Sequence, residues 1–304
     1  MKRVVIVAAA SLALALSAEA QKTFTIGMSQ CNLGEPWRVQ MNADVKKAAD
    51  AHPELKVIYK DAQNDTLKQA SQVEEFISAG VDLLIVSPKE AAPLTPPIAA
   101  AYAKGIPVIV LDRRVVGDQY TCFIGADNKQ IGKAAGAWLI AKIGEKRTIV
   151  ELKGLMTSTP AQDRHSGFRD GIKDSDTEVA FEADMKWLEP DARKEMESAL
   201  SRLNHIDAVY AHNDPGAHGA WLAAKAAGRE KEMIFIGIDA LPHEGRVYVK
   251  DGILAATFEY PTGGDKAIEI ALDLLNGKPA PKEITLPSKV YTLENLAAGG
   301  EVLQ

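Results

Sequence analysis

Gly105-Ile-Pro-Val-Ile-Val-Leu-Asp112 and Lys231-Glu-Met-Ile-Phe-Ile-Gly-Ile-Asp239 decide the fold. Each is a short, nearly uninterrupted apolar run that stops on an aspartate. Runs of this length, rich in β-branched residues and lacking polar alternation, read as strands covered on both faces, as in parallel sheets. Leu83-Leu-Ile-Val86 has the same character. Working outward, strands are predicted over 24–28, 56–60, 83–86, 107–111 and 121–125. Helices are predicted between them over 37–51, 66–79 and 96–104, the last with Pro96 in its first turn. The 66–79 segment shows one helical face in Leu67, Ala70, Val73, Phe76 and Ile77. Asp65 stands at its start as a cap and Gly80 at its end.

The rhythm then repeats. Helices are predicted over 131–143, 162–173, 192–203, 216–227 and 265–275. Strands are predicted over 148–152, 178–181, 208–211, 233–238, 254–258 and 289–292. Two successive strand–helix series imply an α/β protein of two Rossmann-like lobes, each a parallel sheet with helices on both faces. No Gly/Ser-rich linker divides them, so the chain is expected to pass directly from one lobe to the other.

The amino terminus reads as an export signal. Lys2 and Arg3 precede an uncharged apolar run over 4–18, and Ala18-Glu19-Ala20 fits a cleavage site. That run is shorter than the roughly 20 residues that span a membrane. A periplasmic protein cleaved after Ala20 is therefore expected. Removing residues 1–20 from the 304 leaves 284, and the loss of two cations and one anion moves the formal net charge from −6 to −7. A mildly acidic chain without a basic block argues against nucleic acid as a partner. Cys31 and Cys122 follow the first strand and lie in the fifth. In a 2-1-3-4-5 strand order those strands stand about 14 Å apart, three spacings of about 4.8 Å. A disulfide needs Cα atoms within about 7 Å, so two separate thiols are expected.

In open parallel sheets, ligands bind beyond the carboxyl ends of the strands. The residues there form the candidate site: Ser29, Asn32, Glu35, Trp37 and Arg38 after the first strand, Ser87 after the third, and Asp112 and Arg113 after the fourth. The second series adds Arg164, Trp187, Asn213 and Asp239, with Glu259 at the end of 254–258. Singly, each has an ordinary reading: a helix cap for an aspartate, core for a tryptophan, a surface charge for an arginine. Together at one edge of both sheets they form a mixture suited to hydroxyls, with carboxylates and amides, planar guanidinium donors and flat apolar rings. His212 and His218 lack the spacing of two ligands on one helix face, so no metal is assigned to them. No phosphate loop, dinucleotide fingerprint or hydrolase elbow is present, and neither catalysis nor a cofactor is expected.

Asp112-Arg113 after Pro-Val-Ile-Val-Leu, Ile124-Gly-Ala-Asp-Asn128, Glu151-Leu-Lys-Gly154, Asp163-Arg164 followed by Gly167-Phe168, Tyr210-Ala-His-Asn-Asp214 and Gly237-Ile-Asp239 together resemble the ribose- and galactose-type periplasmic binding proteins that feed ABC importers. Ser29-Gln30 with Pro36-Trp37-Arg38, Tyr210 to Asp214 and Glu259 are most similar to galactofuranose-binding proteins. The resemblance spans the mature chain. It implies that Asp112, Arg113, Arg164, Asn213 and Asp239 bond sugar hydroxyls, with Arg38 as an extra donor. It also implies that Trp37 and Trp187 sandwich the sugar ring. Departures are the longer loop 31–36, Ser87 for asparagine, Trp187 for phenylalanine and Glu259 near a glutamine position.

The resemblance further implies a three-crossover hinge near 125–127, 259–261 and 286–289. The lobes are then 22–126 plus 261–287, and 127–260 plus 288–304. The expected protein is a monomer that closes on one monosaccharide and presents it to an ABC permease. Two further readings are a periplasmic sugar sensor serving a chemoreceptor or sensor kinase, and the effector domain of a lactose-repressor-type regulator. The regulator carries a helix-turn-helix before its first strand, and the predicted strand at 24 directly after the export signal leaves no room for one. Turnover of a sugar would mark a fourth, enzymatic reading.

Overall fold

A computed structural model describes residues 22–303; the export-signal reading of residues 1–20 lies outside them. In the first series, β1 (Phe24–Gln30), α1 (Pro36–Asp50), β2 (Leu55–Asp61), α2 (Thr66–Ala79), β3 (Leu83–Ser87), α3 (Ala91–Ala103), β4 (Val108–Leu111) and β5 (Cys122–Ala126) alternate as expected. The second series runs α4 (Asn128–Ile143), β6 (Thr148–Lys153), α5 (Thr159–Ile172), β7 (Glu178–Asp184), α6 (Glu189–Arg202), β8 (Ala208–Ala211), α7 (Asp214–Ala226) and β9 (Ile234–Asp239). After it come α8 (Gly245–Lys250), β10 (Ala256–Glu259), α9 (Gly264–Leu275), β11 (Glu283–Leu286), β12 (Lys289–Thr292) and β13 (Glu301–Val302).

The first sheet has the order β11-β5-β4-β3-β1-β2, and all its pairings are parallel. The second has the order β13-β12-β10-β9-β8-β6-β7, parallel from β7 to β10, with β12 and β13 antiparallel at the edge. Each series thus builds the 2-1-3-4-5 order once. The chain leaves the first sheet after β5, returns to it between β10 and β11, and leaves again between β11 and β12. Three passages close together make a hinge.

Three expectations need correction. Helix α3 begins at Ala91, so Pro96 and Pro97 sit within it rather than at its start. The Thr95 hydroxyl bonds the Ala91 carbonyl at 2.8 Å, locally supporting a turn that the prolines cannot. Strand β11 and helix α8 were not anticipated; β11 is half exposed at a sheet edge and α8 spans only six residues, so neither carries a clear apolar period. Asp65 and Gly80 do bracket α2, with Asp65 accepting the Lys68 amide at 3.0 Å and Gly80 left-handed at φ 67°.

Both cysteines are free and buried. Burial pushes the Cys31 thiol up, keeping it un-ionised.

Candidate ligand-binding site

The carboxyl ends of the two sheets face each other across one chamber. Its walls are Glu35, Trp37, Arg38, Asp112 and Arg113 from the first series, and Pro160, Arg164, Trp187, Asn213 and Asp239 from the second, with Tyr260 between. Nine of the thirteen residues singled out from the sequence therefore meet in one place.

Backbone conformation presents several of them. Asp112 and Trp187 follow strands and Asp239 ends β9, with φ of 70°, 73° and 128°. Non-glycine residues rarely adopt such angles, and they persist where surrounding bonds enforce them. For Asp112, the amide donates to the Ile124 carbonyl at 2.9 Å and the carbonyl accepts the Tyr260 hydroxyl at 3.1 Å.

The arginines are held rigidly. Arg38 Nη2 donates to Asp112 Oδ2 at 3.0 Å, and Nη1 donates to Ser87 Oγ at 2.9 Å and Gln30 Oε1 at 3.1 Å. Glu35 Oε2 lies 3.3 Å from Arg38 Nε, but off the line of the N–H, so that nitrogen has no hydrogen-bond partner. Arg113 Nη1 donates to the Lys89 carbonyl at 2.9 Å while its Nε is also unpartnered. Arg164 Nε donates to Asn128 Oδ1 at 2.9 Å and Nη1 to the His212 carbonyl, with Asp239 Oδ1 3.8 Å away. Burial pushes the Asp239 carboxyl well up, opposed by Arg164. Three guanidinium groups and three carboxyl groups line the same space, so it favours neither a cation nor an anion.

The tryptophans do not form a matched pair. Trp37 stacks on Tyr260 with centroids 5.1 Å apart and donates Nε1–H to the Tyr260 carbonyl at 2.7 Å. Trp187 carries the Arg113 and Arg164 guanidinium carbons 5.6 and 5.4 Å from its ring centroid, and its Nε1 has no partner. Asn213 caps α7, accepting the Gly216 amide at 3.0 Å, and donates to the Trp187 carbonyl at 3.0 Å.

Four expected residues stand outside the chamber walls. Ser29 Oγ donates to Gln72 Oε1 at 3.0 Å, buried behind the site. Asn32 bonds Glu35 Oε1 at 2.7 Å and steadies that carboxylate. Ser87 supports Arg38 from below. Glu259 lines a neighbouring cavity and pairs with Arg246 at 2.8 Å. A residue's place after a strand does not tell whether its side chain turns to the cleft or back toward its own lobe. Tyr260, Pro160 and the supporting Asn128 were missed. Tyr260 directly follows β10, so the same strand-end rule points to it; Pro160 lies one helical turn before Arg164.

Outside the chamber, Glu90 accepts from Thr66 at 2.7 Å and from Thr157 at 2.9 Å, tying the two sides of the cleft at its rim. Glu151, His165 and Glu182 bring ligand-type atoms within 4.8 Å of one another. The Arg169 guanidinium lies 3.0 Å from Glu151 and 2.6 Å from Glu182 and so already pairs with both carboxylates.

Two parallel sheets whose strand ends enclose a small polar chamber, with a triple passage of chain between them, define a hinged, two-lobed solute-binding protein. The chain belongs to the periplasmic binding protein domain family, whose profile matches residues 26–279. It is 33% identical over 274 residues to the ribose import binding protein of Bacillus subtilis, covering 90% of this chain and 88% of that one. It is 30% identical over 308 residues to the galactofuranose-binding protein of Escherichia coli, covering 97% and 96%. Among solved structures, the fructose binding periplasmic domain of a hybrid two-component system superposes with a TM-score of 0.88 at 47% identity, covering 90% of this chain and 92% of that one. Among the described residues no helix is long and apolar enough to cross a membrane.

Proposed function

We propose that this protein captures one neutral monosaccharide in the chamber by closing its hinge, and passes it to an ABC permease in the periplasm. The observation that carries this reading is the set of buried donors without hydrogen-bond partners, Arg38 Nε, Arg113 Nε and Trp187 Nε1, gathered with the Asp239 carboxyl around one space. Nearly all buried polar groups in folded proteins are hydrogen-bonded. Donors and acceptors left facing one another need a guest that both gives and takes hydrogen bonds all round its ring, as a sugar's hydroxyls do. The balance of charges favours a neutral sugar. The lobes are 22–126 plus 261–287 and 127–260 plus 288–304, each supplying one wall. The exported form begins after Ala20 and acts as a monomer.

A sensing role is the second reading. It is favoured by the 47% identity to the fructose binding periplasmic domain of a hybrid two-component system. In both readings closure on the sugar is the signal, because only the closed form presents both lobes in fixed relation.

The test is a thermal-shift and calorimetric screen against fructose, ribose, arabinose, galactose, allose and myo-inositol. One ligand should raise Tm by mass action and bind with a Kd of micromolar or tighter, about −8 kcal/mol. It should be recovered chemically unchanged. No shift with any neutral sugar or polyol would end the proposal.

A further inference from the structure

We propose that Glu151 and His212 act together as positioning residues, setting the Arg164 guanidinium and seating the Trp187 indole for the ligand. This rests on the chamber being the sugar site.

Glu151 lies in the middle of β6, wholly buried between β7 and β8. An ionised acid in a sheet interior is costly unless fully paired, and apolar residues serve packing there at least as well. Burial works to raise this carboxyl, but hydrogen bonds from His165 and His212 outweigh it and hold it at about 2. It is therefore a permanent anion, compensated from outside by Arg169.

The inward connections lead to the chamber. His212 Nδ1 accepts the Gly154 amide at 3.1 Å, so its proton sits on Nε2 and is donated to Glu151 Oε1 at 3.1 Å. Burial pushes the His212 pKa down, which keeps this neutral tautomer. The ring is thus fixed at both nitrogens, and two paths leave the residue, one from its backbone and one from its ring. The His212 main-chain carbonyl accepts Arg164 Nη1. With Arg164 Nε already committed to Asn128, these two bonds define the guanidinium plane. The second path runs through Gly154, where an added Cβ would come within 2.3 Å of the Trp187 ring. The indole thus rests directly on backbone that His212 anchors. His212 thus reaches two walls of the chamber, one through its imidazole and one through its main-chain carbonyl, and Glu151 holds the imidazole. Preorganisation of this kind lowers the ordering needed when ligand binds.

The test is a double-mutant cycle by calorimetry, using the tightest sugar from the screen above. His212→Phe keeps the ring's bulk and removes both anchors; it should weaken binding about tenfold, the worth of one hydrogen bond to a charged group. Glu151→Gln keeps an acceptor for Nε2–H and should recover part of that loss relative to Glu151→Leu. Placed in an Arg164→Lys background, His212→Phe should lose the share of its effect that runs through Arg164 and keep the share that runs through Trp187. Equal fold-losses in both backgrounds would mean general loosening and overturn the proposal, as would unchanged affinity in His212→Phe. Crystal structures of His212→Phe and Glu151→Gln decide the point independently of any ligand. In His212→Phe the Arg164 guanidinium should leave the residue-212 carbonyl; if it stays, the proposal falls. If the wild-type protein binds no sugar, the reading of the chamber fails while these structures still report on the positioning.

Discussion

Asp112 shows how much one residue concentrates. Its left-handed backbone is clamped from Ile124 and Tyr260, and its carboxylate holds Arg38 at 3.0 Å with Arg113 Nε 3.7 Å away. Asp112→Ala would leave a buried guanidinium without its counter-charge and a ligand hydroxyl without its acceptor. Truncating one member of a buried charged pair costs about 2–5 kcal/mol, so affinity should fall by about a hundredfold or more, measured by calorimetry. Asp112→Asn, which keeps the shape but not the charge, should lie between. At this scale the sequence was informative for a simple reason. Asp112, Arg164, Trp187, Asn213 and Asp239 all come just after strands or in the first turns of the following helices, where a parallel sheet presents its ligand-facing atoms. Ser29 and Glu259 satisfy the same rule yet face elsewhere, because the last few torsions of a strand end are set by partners such as Gln72 and Arg246.

Among elements, the α4–α5 pair governs the site. Glycines let the two backbones approach closely: a Cβ on Gly167 would sit 2.1 Å from the Lys129 carbonyl oxygen, and one on Gly132 would sit 2.4 Å from that of Arg164. The seam brings Asn128 on α4 to Arg164 on α5, and so fixes the guanidinium that lines the chamber. Gly167→Ala must push the helices apart. Overpacking of this kind destabilises by about 1–3 kcal/mol, to be read from urea unfolding. Sugar affinity should fall with it, because Asn128 and Arg164 separate. Unchanged affinity at reduced stability would show that the seam serves packing alone.

For the whole molecule, pH separates two buried groups of opposite behaviour. Burial, and then repulsion from Glu189, push Glu244 up to about 7, and its Oε2 has no partner. Burial also raises Asp214, which lies under α8 near Glu244. A carboxyl raised on folding contributes stability that is fully present below its ordinary value of 4.5 and is lost as pH rises through about 7. The melting temperature should therefore decline between about pH 5 and 7.5. Glu244→Gln should make that decline shallower, with Asp214 keeping its own share; an unchanged slope would assign it elsewhere. Glu151, held low, contributes in the opposite sense, and its share is lost only in acid below 4.5.

The sequence by itself determined the two α/β series, the 2-1-3-4-5 order of the first, and the strand ends from which the candidate residues come. All of these follow from local periodicity and from the geometry of parallel sheets. Only the tertiary structure decided which strand-end side chains share one chamber. Trp37 meets Tyr260 across 223 positions of chain, and Glu151 reaches His212 across 61. Such pairings depend on how two lobes are brought face to face by three short passages of chain, and no local pattern encodes the direction in which a side chain turns once they meet.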